Sequence, residues 1–176
     1  MARPLLFIMC GPPFSGKSTL ARAIEARFGI TRIEVDAVHL ERKLTEVREV
    51  DWRIAVQRSY RRLIETLSSG ESAIWDTANL TRAEREGIRR TGARLGANAL
   101  LIFVDTTDSE RLRRRTANLV SGYRVDVPEP AFENARQAFE PPAENEYPIR
   151  FTSDESIDEW LTEIITPLIA ANEMEH

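Results

Sequence analysis

Gly11-Pro12-Pro13-Phe14-Ser15-Gly16-Lys17-Ser18 stands between a short apolar run, Leu5 to Cys10, and a stretch in which Leu20, Ala23, Ile24 and Phe28 recur at helical spacing up to Gly29. A continuous apolar run that stops at a Gly/Pro turn is the pattern of a strand buried on both faces. The periodicity after it predicts a helix closed by a C-terminal glycine. The octapeptide satisfies G-x-x-x-x-G-K-[ST] in full, and it does so between a strand and a helix, where the mechanism of that pattern requires it. Its two glycines let the loop curl so that successive backbone N–H groups point at phosphate oxygens, and the helix N-terminus adds partial positive charge.

Outward from this loop, Thr31 to Val35 is a β-branched run that ends in Asp36, and Asp51 to Leu67 predicts a long amphipathic helix ending near Gly70. Ser72 to Trp75 reads as a short strand, and Thr81-Arg82-Ala83-Glu84 carries a capping-box pattern that opens the next helix. That helix is expected to end between Gly92 and Gly96. Ala99 to Val104 is the clearest strand, Asp108 to Leu119 an arginine-studded helix, and Ala131 to Phe139 a short helix within a proline-rich insertion, Val127 to Pro142. Pro148 to Phe151 predicts a last strand, and a final helix from Asp154 to about Ile165 is expected to stop or kink at Pro167. Strands alternating with helices make an α/β chain: a three-layer P-loop NTPase sandwich around a mostly parallel five-stranded sheet, with ligands at the carboxyl ends of the strands. One domain over residues 1–176 is expected, with residues 108–142 as an arginine-rich lid.

The formal net charge of −4, with both signs interspersed, gives no global basic field, so a nucleic-acid partner is the less favoured one. Of the 24 cations only Lys17 and Lys43 are lysines, which sets Lys17 apart by residue type alone. Cys10 is the one cysteine, which excludes a disulfide framework and points to a reducing, cytoplasmic setting, with packing as its role. Its apolar run is far shorter than the ~20 residues of a membrane span, and no membrane partner is expected.

The loop residues Gly11, Pro12, Pro13, Phe14, Ser15, Gly16, Lys17, Ser18 and Thr19 form the expected site for the phosphates of ATP. Lys17 supplies a point charge for the β- and γ-phosphates, and the Ser18 hydroxyl is the expected protein ligand of Mg²⁺. Asp36 follows the second strand about 20 residues beyond Lys17, which in a parallel sheet brings it to the edge that carries the phosphates. There it takes an acceptor's proton or orients the acceptor hydroxyl, unless it only caps the following segment. Asp76, at the end of Ile74-Trp75-Asp76-Thr77-Ala78-Asn79, is placed to hold Mg²⁺ through water, to orient Lys17 or the acceptor, or to close a turn. Within Arg111-Leu112-Arg113-Arg114-Arg115, Arg111 and Arg115 share a helix face at i and i+4 and are the preferred pair to neutralise a transferring phosphoryl group.

These residues resemble the P-loop kinases of the AAA-domain, zeta-toxin and polynucleotide-kinase-like group, which is also similar to chloramphenicol phosphotransferase. The likeness rests on Gly11 to Ser18, Asp36, the Asp76 to Asn79 segment leading into Arg82, the arginine-rich stretch and Phe139-Glu140-Pro141-Pro142. It implies a nucleoside-kinase-like fold and an ATP-dependent phosphotransferase that uses an alcohol group as acceptor. It also implies Asp36 as general base, Asp76 as a site residue and Arg115 on the phosphates, with Arg111 as its competitor. His39, Asn79 and Arg82 are the candidate acceptor residues. The polynucleotide kinases typically carry an Arg three residues beyond the base Asp, and His39 stands there instead, a poor substitute for a bidentate phosphate fork. A small-molecule or nucleoside-type acceptor is therefore favoured over a polynucleotide 5′-hydroxyl. A zeta-toxin-like kinase held by an antitoxin-type protein, and a P-loop ATPase or switch that transfers nothing, are left open; the chain holds no N-K-x-D guanine motif.

Overall fold

The computed structural model describes residues 3–35, 49–121 and 128–174. Strand β1 (Leu5–Cys10) is buried along its whole length and forms the middle of a five-stranded sheet. Around it lie β2 (Thr31–Glu34), β3 (Ala73–Asp76), β4 (Asn98–Asp105) and β5 (Ile149–Thr152), in the spatial order β2-β3-β1-β4-β5. Every pairing is parallel, so the sheet is wholly and not just mostly parallel.

The helices are α1 (Lys17–Phe28), α2 (Glu49–Ser68), α3 (Arg82–Arg94), α4 (Asp108–Ser121) and α5 (Glu129–Ala138), followed after β5 by α6 (Ile157–Trp160) and α7 (Thr166–Met174). Side chains alternate along β1 between two cores. Leu5, Phe7 and Met9 pack with Leu20 and Ile24 of α1 and with Trp160 and Ile165, while Leu6, Ile8 and Cys10 pack with Leu63 and Leu67 of α2 and with Ile88 of α3. That is the three-layer arrangement, and it explains why β1 shows no polar alternation in the sequence.

Local signals held where they were strong. Gly29 closes α1 at φ +67 and its N–H donates to the Glu25 carbonyl at 2.9 Å. Both arms of the Thr81/Glu84 capping box form, at 3.2 Å and 2.9 Å. The C-terminal helix starts at Ile157, capped by Ser156, and of the two outcomes expected at Pro167 the stop does not occur, since helix continues to Met174. A π-helical turn at Leu161–Ile165 absorbs the proline, with the Thr166 N–H bonded five residues back to the Leu161 carbonyl, a carbonyl that also accepts the Thr166 hydroxyl at 3.0 Å. Pro167 then sits in the first turn of α7, where its missing N–H leaves no bond unmade. Among the described residues no helix is long and apolar enough to cross a membrane.

The strand order decides where a ligand fits. From β1 the chain moves outward to one side for β2 and β3, then to the other for β4 and β5, so the order reverses at the carboxyl end of β1, the place where open parallel sheets bind ligands.

Candidate functional site

At that reversal the loop Gly11 to Gly16 joins β1 to α1, and its curl depends on two glycines. Gly11 has φ +148, and a Cβ there would lie 2.9 Å from the Ser15 hydroxyl and 3.0 Å from the Val104 carbonyl; Gly16 has φ +106, and its Cβ would lie 3.0 Å from the Arg114 guanidinium. Only glycine fits both positions. The loop is held from outside as well. The Gly11 N–H donates to Ala78 at 3.2 Å, and the Ser15 carbonyl accepts from the Thr106 hydroxyl at 2.8 Å and from Arg114 Nη1 at 2.8 Å. With that carbonyl held from outside the curl, the loop's remaining backbone N–H groups are available to form an anion nest. Ser15 is 1% exposed, and its Oγ is buried without a hydrogen-bond partner. Lys17, at the start of α1, folds back so that Nζ donates to the Pro12 carbonyl at 3.0 Å.

Ser18 and Asp76 are brought together. Asp76 ends β3, next to β1, and its buried carboxylate accepts the Ser18 hydroxyl on Oδ1 at 3.3 Å and Arg32 Nη1 on Oδ2 at 2.8 Å. A hydroxyl and a carboxylate are the hard oxygen donors a Mg²⁺ takes. No group of three or more His, Cys, Asp or Glu among the described residues forms a protein-only metal cage. Two oxygen donors beside the loop fit Mg²⁺, a hard cation that would take its other ligands from water and substrate phosphates.

The arginine cluster divides between two neighbours. Arg114 faces the loop, with Nε held by Glu110 at 2.7 Å. Arg111 and Arg115, the pair the i,i+4 rule favours, face α5 instead. Arg115 pairs with Glu129 at 2.5 Å and lies 4.7 Å over the Phe132 ring, itself 6.0 Å from the ring of Phe14 in the loop. Arg111 is buried and paired with Asp108, yet its Nε and Nη1 have no partner; burial and the neighbouring Arg136 charge both act against its charged form. Of these three arginines Arg114 is the one bonded to the loop, and it is the one that sequence spacing missed. A signal existed: Arg114, Ala117, Asn118 and Ser121 recur at i, i+3, i+4 and i+7, a small and polar face that opens onto a cavity. That cavity, about 580 Å³, is walled by this face, by Ser15, Gly16 and Thr19, by Phe151 of β5 and by Ser153 and Ile157 beyond it. Its volume suits a small organic ligand.

Asn79 lies just behind the loop at φ +46, a conformation Asn tolerates, and its amide nitrogen donates to the Met9 carbonyl at 2.5 Å and to the Thr77 carbonyl at 3.4 Å. Arg82 is exposed at the start of α3, where its backbone N–H is capped by Glu140 at 2.7 Å. Beneath them Arg85 is buried, bonded bidentately to Glu146 at 2.7 Å and 2.8 Å and to the carbonyls of Asn79, Leu80 and Glu140. The Cys10 thiol packs against this network, and burial pushes it up to about 11, so it is inert as a nucleophile at neutral pH. Asp36 and His39 lie outside the described residues. β2 delivers the chain to the site's edge, with Glu34 in register with Asp76 two residues before Asp36.

The sequence of residues 6–142 matches the AAA domain family. No curated protein matches the chain. Among solved structures, a candidate kinase of Chloroflexus aurantiacus superimposes with a TM-score of 0.77 at 18% identity, over 97% of this chain and 98% of that one. The Mycobacterium tuberculosis APS kinase in complex with AMPPNP and APS gives 0.67 at 22%, over 96% and 99%. A gluconokinase from Sinorhizobium meliloti gives 0.66 at 20%, over 98% and 96%. At these identities the likeness is one of fold, and that fold is the α/β architecture of the P-loop kinases.

Proposed function

We infer, for a chain that belongs to the AAA domain family, that it binds MgATP on the Gly11–Thr19 loop and transfers the γ-phosphoryl group to a hydroxyl of a small-molecule or nucleoside-type acceptor. The observation that carries the reading is the convergence, at the carboxyl end of β1, of a pre-curled anion nest with the Ser18–Asp76 oxygen pair at 3.3 Å. The fold likeness to an APS kinase solved with AMPPNP supports it.

In this reading the nest and Lys17 hold the β- and γ-phosphates, and the cavity beside Arg114 receives the nucleoside. Ser18 and Asp76 hold Mg²⁺, which when bound offsets charge on the phosphate oxygens. The acceptor oxygen attacks the γ-phosphorus, the bond to the β–γ bridging oxygen breaks, the hydroxyl proton passes to the Asp36 carboxylate, and ADP leaves. Helices α4 and α5 serve as the lid. Its closure would bring Arg111 and Arg115, whose guanidinium atoms Nε and Nη1 of Arg111 and Nε of Arg115 lack partners, to the transferring group. His39, Asn79 and Arg82 are the candidates to recognise the acceptor, Asn79 through the main chain that its amide braces.

Incubation of the protein with γ-labelled ATP and panels of nucleosides, sugars, antibiotics and 5′-hydroxyl oligonucleotides tests the proposal. Label is expected in one small-molecule class; label only in free phosphate would overturn it in favour of an ATPase or switch. Asp36→Asn is expected to keep ATP affinity while transfer falls by about 10²-fold or more, as loss of a general base does. Loss of ATP binding by that variant would move Asp36 to the metal.

Arg114→Ala should weaken ATP binding by about tenfold, the scale of one charge-assisted hydrogen bond. Arg94→Ala, an exposed arginine at the end of α3 that does not line the cavity, should change it less than about twofold. Calorimetric titration of both variants decides whether Arg114 belongs to the nucleotide site.

A further inference from the structure

Arg32 lies on β2, the edge strand of the sheet, where a charged side chain would ordinarily extend into water. Its guanidinium instead turns along the sheet and meets carboxylates from three elements. Nε reaches Glu25 of α1 at 3.3 Å, and Nη1 reaches both Glu34 of β2 at 2.8 Å and Asp76 of β3 at 2.8 Å. The Arg32 side chain is 15% exposed and that of Asp76 2%. A planar guanidinium fork presents fixed donors in several directions, so one side chain can bind carboxylates from three elements at once.

The contact divides Asp76 in two. Oδ2 is committed to Arg32, and Oδ1 is left facing the Ser18 hydroxyl across a long 3.3 Å contact. With opposite oxygens tied to β2 and α1, the carboxylate plane is fixed before any cation arrives. We propose that Arg32 is a positioning residue that presents Asp76 to the nucleotide's divalent cation through Oδ1 alone. Among the described residues Arg32 has its side-chain bonds to Glu25, Glu34 and Asp76 and does not line the cavity, so it acts on the cation and not on the phosphates. The proposal rests on the MgATP reading above. Without Arg32 the three carboxylates repel one another, Asp76 loses its orientation, and the cation loses an aligned oxygen.

The test is the affinity for AMPPNP by calorimetry, with excess EDTA and with Mg²⁺, for the wild type, Arg32→Met and Glu34→Gln. Methionine keeps most of the stem's packing without the charge. In Arg32→Met the gain in affinity on adding Mg²⁺ is expected to shrink by about tenfold or more, the usual effect of removing a group that orients a metal ligand. Its affinity in EDTA should stay at the wild-type value. Glu34→Gln disturbs the same network but leaves the Arg32–Asp76 contact, and it should keep the full Mg²⁺ gain. An undiminished gain in Arg32→Met, or an equal loss in both variants, would overturn the positioning role. A parallel fall in EDTA would overturn it too, as a sign of general damage to the loop. A wild-type protein that binds AMPPNP equally with and without Mg²⁺ would instead bring down the MgATP reading, together with the inference built on it.

Discussion

Lys17→Ala is expected to remove phosphoryl transfer almost completely while leaving the protein folded. In the described structure Lys17 Nζ donates to the Pro12 carbonyl of its own loop at 3.0 Å. Losing one such bond costs about 1 kcal/mol, a small part of a domain's roughly 5–15 kcal/mol. The catalytic cost is of another order. In transfer, negative charge shifts toward the β–γ bridging oxygen and spreads over the γ-phosphoryl oxygens, and a fixed ammonium beside them is worth more there than in the ground state. Removal of one preorganised donor to developing charge typically slows a reaction by about 10²–10³-fold. ATP-dependent labelling of the acceptor and a urea unfolding curve, run on the same preparation, check both halves. Transfer retained within about tenfold by well-folded variant protein would sink the assignment of Lys17, and a large fall in the unfolding midpoint would show that the lysine serves the fold.

The part of the site built from local chain is the part that sequence reasoning reached. The octapeptide fixes its own conformation, since Gly11 and Gly16 must adopt positive φ, and strand and helix flank it. The pairing of Ser18 with Asp76 was also within reach, because two parallel strands that start from one layer deliver their last residues to one edge. Contacts that depend on which way a helix is turned were not. The i,i+4 rule selects faces but not neighbours, so it could group Arg111 with Arg115 without showing that α5, and not the loop, covers that face. Arg32 left no trace, because an arginine on a short edge strand reads as solvent-facing until the fold places three carboxylates around it. Pro167 misled for a related reason: the rule that proline ends a helix assumes an unbroken i→i−4 ladder, and a π-turn at Leu161–Ile165 breaks that ladder one step earlier.

Arg85→Met is expected to be the most destabilising single change in the described structure. Arg85 and Glu146 are 61 residues apart in sequence, and their side chains are 1% and 4% exposed. The guanidinium also caps the carbonyls of Asn79, Leu80 and Glu140, so one side chain ties the segment behind the loop to the return from α5. Removing the cation strands a carboxylate and three carbonyls in a dry site. Breaking a buried pair in this way costs about 3–5 kcal/mol, which for a chain of this size lowers Tm by roughly 10 °C. Arg85→Met combined with Glu146→Leu should recover part of the loss, because the orphaned charge is then gone and apolar groups fill the space. The pair also sets an acid limit. The Arg85 hydrogen bonds hold the Glu146 carboxyl below its ordinary 4.5, so its contribution is complete at neutral pH, begins to fall as pH drops below 4.5, and is gone once pH passes the lowered value. Unfolding curves at neutral and acid pH should therefore show a gap between wild type and Arg85→Met that narrows on acidification. A loss under about 1 kcal/mol at neutral pH, or a gap that does not narrow, would mean that water reaches the pair and that the segment behind the loop is held by its backbone bonds alone.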